Sequence, residues 1–214
     1  MAPASSRAKG VTWRLVGLLG ALLLVIAAWL AVPILTNSPQ GQSGQTLEVE
    51  GFPTSVSAVG DDGRERTLSV ELESSDRGLD QLQAGDRLTV SAAGYDAGSG
   101  IYVALCKVPD ELGVKPGPCL GGVGAMEEQD TVVADVVEYA PSNWINDDWA
   151  WRLFGSRSFD DRDAGNFTAF IEVPPAVDEN VDCREVSCGL YTRNDHTALD
   201  DRVQDLYVPI AFGE

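Results

Sequence analysis

Residues 67–73 read TLSVELE, with Leu68, Val70 and Leu72 on one side of the alternation and Thr67, Ser69, Glu71 and Glu73 on the other. Successive side chains of a strand point to opposite faces, so this is the pattern of a strand with one face in a core and the other in water. Outward from it, similar short segments recur at residues 87–92 (RLTVSA), 101–106 (IYVALC), 167–173 (FTAFIEV), 189–192 (GLYT) and 206–212 (LYVPIAF), punctuated by Gly, Asp and Pro. Beyond residue 47 helical periodicity is scarce. Short strands with turn signals between them predict an all-β fold, an antiparallel sandwich or barrel, and not a parallel α/β sheet. Pro209 has no N–H to give to a ladder, which places the last strand at a sheet edge or at a bulge.

The first part of the chain is different in kind. Residues 15–35 carry no charge, and as a helix they would extend about 31 Å, the thickness of a bilayer's hydrocarbon core. A cleaved signal peptide is the alternative, but its apolar stretch is shorter and is followed by small residues at alternate positions. Here Trp29, Leu30 and Pro33 interrupt that pattern around Ala27, Ala28 and Ala31. The expectation is therefore an uncleaved single-pass anchor at the cell membrane. Arg7, Lys9 and Arg14 precede the span and no Lys or Arg follows until Arg64, so residues 1–14 are expected in the cytoplasm and the rest outside it. Residues 36–46 (TNSPQGQSGQT) are uncharged and polar, the composition of a flexible tether. The folded domain is then residues 47–214.

All 33 acidic residues lie beyond the span, against 12 of the 15 basic ones, so the exported part carries a net charge of −21. Binding to phosphate backbones relies on Lys and Arg replacing counterions, and direct nucleic-acid binding is excluded on that ground. Clustered Asp could recruit cations: Asp160, Asp161 and Asp163, or Asp147 with Asp148, have the oxygen chemistry of calcium ligands. The EF-hand pattern fails, however, because Asn166 stands where that loop needs Gly, and a solvated acidic loop is the expectation, with no metal and no cofactor assigned. Residues 166–168 (NFT) form a glycosylation sequon by pattern alone.

One stretch interrupts the strand rhythm. Residues 121–163 are long for a hairpin connection, and within them residues 143–154 (NWINDDWAWRLF) hold Trp144, Trp149, Trp151 and Phe154, including three of the protein's five tryptophans. Disordered segments cannot bury rings and are poor in them, so this segment is expected to be ordered. Its rings either cap the core or present a contact surface for a partner protein, a lipid headgroup zone or an apolar ligand.

Four cysteines, Cys106, Cys119, Cys183 and Cys188, allow three pairings. Outside the cytoplasm disulfides are the expected state, with local pairing preferred. A zinc site is the alternative, but neither pair has the two-residue spacing of a ribbon or knuckle. At these residues a resemblance emerges. Residues 85–106 (GDRLTVSAAGYDAGSGIYVALC), Cys119, and residues 181–212 (VDCREVSCGLYTRNDHTALDDRVQDLYVPIAF) resemble the neocarzinostatin family of actinobacterial apoproteins. The shared features are a strand ending in Gly and an aromatic, a Gly-rich turn into Tyr-Val-x-x-Cys, a V-D-C-x4-C hairpin and a final strand ending on Phe. The resemblance covers residues 79–212 apart from the long insertion. It implies an immunoglobulin-like sandwich of seven strands with Cys106–Cys119 and Cys183–Cys188 as disulfides. In members of known activity an enediyne chromophore sits in a cleft beside the sheet, and the chromophore cleaves DNA. This chain adds the anchor, an N-terminal extension at residues 47–78 and the insertion at residues 121–163, which falls where the cleft wall is expected.

No catalytic set is visible. The single histidine, His196, lies in residues 193–205 (RNDHTALDDRVQD) without a nucleophile elbow, and acidic pairs mean little in so acidic a chain. The leading expectation is a non-catalytic, extracytoplasmic interaction domain serving as an accessory subunit of a membrane complex. The alternative is a carrier of a small apolar or aromatic ligand.

Overall fold

The computed structural model describes residues 6–36, 38–74, 76–121 and 138–213. The chain divides into two units, Met1–Asn37 and Ser38–Glu214. In the first, helix α1 covers Ser6–Thr36. Among the described residues no helix is long and apolar enough to cross a membrane. The unbroken run of described side chains in α1, residues 13–29, would extend about 26 Å, and the side chains of Leu30, Pro33 and Ile34 within the expected span lie outside the described residues.

The second unit holds two four-stranded antiparallel sheets. The first has the order β1 (Ser55–Val59), β2 (Glu65–Leu72), β3 (Arg87–Ala93) and β6 (Phe167–Glu172). The second has the order β5 (Ser142–Ile145), β4 (Ile101–Lys107), β7 (Cys188–Asn194) and β8 (Tyr207–Ile210). The alternation of residues 67–73 is realised as read: Leu68 and Val70 are buried, and the exposed side of β2 meets β1 through hydroxyl pairs, Ser55 with Ser69 at 2.8 Å and Ser57 with Thr67 at 2.9 Å. Between the sheets, Leu68, Val70, Leu88, Val90, Phe167 and Ile171 from the first form one apolar cluster with Ile101, Val103, Leu105, Leu190 and Val208 from the second. Pro209 lies on β8, at the end of its sheet's order, where a missing N–H costs the ladder nothing.

Three expectations need correcting. Eight strands are present among the described residues where the resemblance implied seven, and two of them, β1 and β2, arise from residues 47–78. That stretch is no appendage, since β2 lies between β1 and β3 and supplies core residues. The insertion likewise contributes β5, paired to β4 from Ile101↔Ile145 to Ala104↔Ser142; its residues 122–137 lie outside the described residues. Residues 41–46, read as tether, lie along the domain. Their composition buries no core, but they hold the domain through polar contacts of the kind composition does not reveal: Gln42 accepts from the Asp61 amide at 2.9 Å, and Gly41 accepts from the Arg202 amide at 3.2 Å.

Both disulfides have the local connectivity, Cys106–Cys119 and Cys183–Cys188. Leu190 on β7 is fully buried in the inter-sheet cluster, so Leu190→Ala should lower unfolding free energy in urea by about 2–5 kcal/mol. Ser57→Ala, on the solvated side, should change it by less than about 1 kcal/mol.

Candidate functional site

The two sheets treat their outer faces differently. That of the first is polar, whereas β4 and β7 are buried almost throughout, so the second sheet is covered on both sides. The strand register arranges its outer face in rows. Trp144, Tyr102 and Arg193 stand side by side on β5, β4 and β7; Ser142, Ala104, Tyr191 and Tyr207 form the next row; Cys106, Gly189 and Pro209 form a third. Aromatic rings thus flank a strip of small residues, with the Cys106–Cys119 disulfide at one end.

At the Trp144 end four half-buried rings gather. Trp151 lies 5.6 Å from Trp144 and 4.8 Å from His196; Trp144 lies 5.4 Å from His196 and 5.9 Å from Tyr102. The Tyr102 hydroxyl is 3.1 Å from His196 Nδ1, and the Arg193 guanidinium lies over the Tyr102 ring at 5.9 Å. Burial, with the Asp195 charge adding to it, pushes the Tyr102 phenol up to about 12. The fully buried Asp195 anchors the cluster: its Oδ2 accepts from Trp144 Nε1 at 2.9 Å and Asn146 Nδ2 at 3.0 Å, and its Oδ1 from the Thr197 amide at 2.8 Å. Gly100 lets this carboxylate in, because a Cβ there would fall 1.9 Å from Asp195 Oδ2.

Trp151 is presented by α2 (Trp149–Arg152), a single turn capped by Asp148, whose side chain accepts from the Ala150 amide at 3.0 Å. The Asn146 and Arg157 amides tie the segment back to β5, donating to Arg157 and Trp144 carbonyls at 2.8 and 2.7 Å. The four rings singled out from sequence therefore divide. Trp144 and Trp151 pack on the sheet, whereas Trp149 is 67% exposed and Phe154 53%, beside Leu153 at 75%.

At the other end Tyr191 and Tyr207 stack with ring centres 4.8 Å apart. Over them lie residues 42–47 and the disulfide loop, which border a half-open pocket of about 40 Å³ lined in part by Gln45, Leu47, Pro116, Tyr191, Asp205 and Tyr207. That volume suits two or three waters, not an aromatic ligand. Among the described residues four buried side-chain atoms have no hydrogen-bond partner, and three belong to this neighbourhood: Tyr191 Oη, Arg193 Nε and Asp205 Oδ1. Arg202 Nη1 donates to Asp205 Oδ2 at 2.9 Å, and Arg193 Nη1 to the Pro116 carbonyl at 2.9 Å. Burial pushes the Asp205 carboxyl up to about 7 despite the opposing charges of Arg202 and Arg193.

The acidic residues considered for calcium serve the chain itself. Asp161 Oδ1 accepts from the amides of Asp163 and Ala164 at 3.0 Å, and Asp160 Oδ2 from Thr168 Oγ1 at 2.7 Å. No group of three or more metal-ligating side chains occurs among the described residues. Tyr102, Arg193, Asp195, His196, Tyr191, Tyr207 and Asp205 escaped the sequence reading as site residues. One signal was present: residues 101–106, 189–192 and 206–212 have no polar alternate positions, the mark of strands covered on both faces.

The Asp205 value of about 7 lies above the roughly 3.9 of an exposed aspartate, so the folded chain holds a proton that the unfolded chain has released. Its contribution to stability is complete below about pH 4 and is lost as pH rises through about 7. Relative to wild type, Asp205→Asn should gain about 1–3 kcal/mol between pH 4.5 and 7.5 in paired urea melts. By the same measurement Trp151→Ala should cost about 1–3 kcal/mol, the loss of a half-buried ring, and Trp149→Ala less than about 0.5 kcal/mol.

No family model matches the chain, and no curated protein does. Among solved structures macromomycin is similar at 22% sequence identity, covering 68% of this chain and 98% of its own, with a TM-score of 0.36. At those values the likeness says nothing about ligand or activity.

Proposed function

We propose that the protein is a non-catalytic binding domain that takes a small apolar or aromatic ligand on the outer face of the second sheet, and that α1 holds it at the outer side of a membrane. The observation that carries the ligand reading is the cluster of Tyr102, Trp144, Trp151 and His196, half-buried and fixed to one face by Asp195 and α2. Flat rings offer dispersion contact and a polar edge at little entropic cost, the recurring chemistry of apolar ligand sites. Arg193 beside them favours a ligand with π-density or an acceptor at its rim. The anchor reading rests on the uncharged residues 15–35, and membership of the neocarzinostatin family on the sequence features around the four cysteines.

In this reading His196 is a packing ring, held by the Tyr102 hydroxyl and two indoles, and takes no part in proton transfer. The accessory-subunit role would draw instead on Trp149, Leu153 and Phe154, which are exposed together. The carrier reading is preferred because the packed rings continue a face that is covered elsewhere and are held there by Asp195 and by the contact of the Tyr102 hydroxyl with His196.

Equilibrium dialysis of the full chain in zwitterionic nanodiscs against 2-naphthol tests the proposal, with empty nanodiscs as the partition control. Saturable one-to-one binding is expected, weakened at least tenfold by Trp144→Ala and less than twofold by Trp149→Ala. Absence of saturable binding, or equal loss in the two variants, would overturn it.

A further inference from the structure

The outer face of the second sheet already has an occupant, and its chemistry indicates what else fits there. Residues 41–49 (GQSGQTLEV) run along the Tyr207 side of the sheet. The Gln45 carboxamide donates through Nε2 to the Tyr207 carbonyl at 2.7 Å and accepts through Oε1 from the Tyr207 amide at 2.7 Å. This two-way exchange is what facing residues of antiparallel strands make with each other. A side-chain amide thus stands where the backbone of a neighbouring strand would stand. β8 ends its sheet's order, and the next residue pointing outward, Pro209, has no donor, so Tyr207 is the strand's available pairing unit on that edge. Beyond Gln45, the Leu47 carbonyl accepts from the Tyr207 hydroxyl, and Val49 packs on the cluster of Ala104, Cys106, Cys119, Tyr191 and Tyr207.

The fit of this strap is incomplete. Beneath it the Tyr191 hydroxyl and Asp205 Oδ1 are buried without partners, although nearly all buried polar atoms in folded proteins are satisfied. The strap has no apolar side chain until Leu47, and at Gly44, with φ +77°, it passes so close to the end of β1 that a Cβ would fall 2.2 Å from the Val59 carbonyl oxygen. Polar contacts made by a Gly- and Gln-rich segment are exchangeable with an equivalent set.

We propose that residues 41–49 are an intramolecular competitor in a peptide groove along β8, and that an extended, amide-bearing peptide segment is the class of ligand that displaces them. The inference rests on the reading of this face as the binding face, but it concerns the Tyr207 end, away from the Trp144 rings. An incoming segment pairs its backbone with Tyr207, sets an apolar side chain on the Tyr191–Tyr207 stack, and can bring a donor or acceptor to Tyr191 and Asp205 that the strap does not provide.

The test uses the full chain in nanodiscs. Gln45→Ala removes both bonds to Tyr207 and should speed hydrogen exchange of the Tyr207 amide at least tenfold. The same variant should bind a fluorescent synthetic peptide GQSGQTLEV at least tenfold more tightly than wild type, whereas a peptide of scrambled order should not distinguish the two proteins. Gln45→Glu, which keeps the shape and one acceptor, provides the same comparison should the alanine variant fold poorly, and is expected to fall between. Unchanged exchange at Tyr207 in both variants would show that the carboxamide does not hold the strap. Faster exchange with no gain in peptide binding would show that the vacated edge is not a peptide groove, and either result overturns the proposal. Loss of 2-naphthol binding alone leaves this outcome unaffected, so the two readings fail separately.

Discussion

The pairing of β4 with β7 sets the terms for the rest of the domain. These two strands occupy the middle of the second sheet and are buried on both faces almost throughout. One face is satisfied by the first sheet, through Leu68, Val70, Leu88 and Val90. The other would leave Ala104, Tyr191 and the Cys106–Cys119 disulfide in water unless something lay over it, and burying such surface is the main favourable term available to a domain of this size. The covering is assembled from pieces with little else in common: the disulfide loop, residues 41–49, and the segment carrying Trp144 and α2. Each comes from a part of the chain that interrupts or precedes the strand rhythm. Fold and site therefore share one cause.

How far this was legible in the sequence follows from the range of the interactions. Residues 67–73, 87–92, 101–106, 167–173, 189–192 and 206–212 declare themselves because strand alternation is local, and all became strands. Ser55–Val59 and Ser142–Ile145 were missed because they are short and their signal is weak. Trp144 in particular reads as part of an aromatic run, while its role is set by Tyr102 opposite it on β4. The strap was misread for a related reason. Gln45 finds its partner 162 positions along the chain, and nothing in GQSGQT distinguishes a segment that binds from one that swings free. The connectivity of the two disulfides, by contrast, was legible: four cysteines allow three pairings, local pairing was preferred, and the family resemblance implied the same two pairs.

Charge is managed differently at the surface and inside. At the surface several carboxylates cap turns of their own backbone, as Asp161, Asp178 and Asp182 do. Two are enclosed with arginine. Asp62 holds the fully buried Arg66 through contacts of 2.5 and 3.0 Å, and those bonds keep its carboxyl below the usual range. Asp205 beside Arg202 has the opposite balance, because one of its oxygens is left without a donor and burial prevails. The two outcomes differ because desolvation outweighs the arginines at Asp205, where the Asp201 charge adds to it, whereas at Asp62 the hydrogen bond from Arg66 outweighs a smaller desolvation.

The indoles of Trp144 and Trp151, 5.6 Å apart and inclined at 49°, make the ring cluster a chiral pair of chromophores. Transition dipoles so close exchange excitation, and a fixed inclination gives that exchange a handedness. The domain therefore carries an internal optical marker of whether α2 is seated against β5. Its near-ultraviolet dichroism should follow that local contact separately from the sheet signal, so detachment of the α2 segment could be observed while both disulfides and both sheets remain in place.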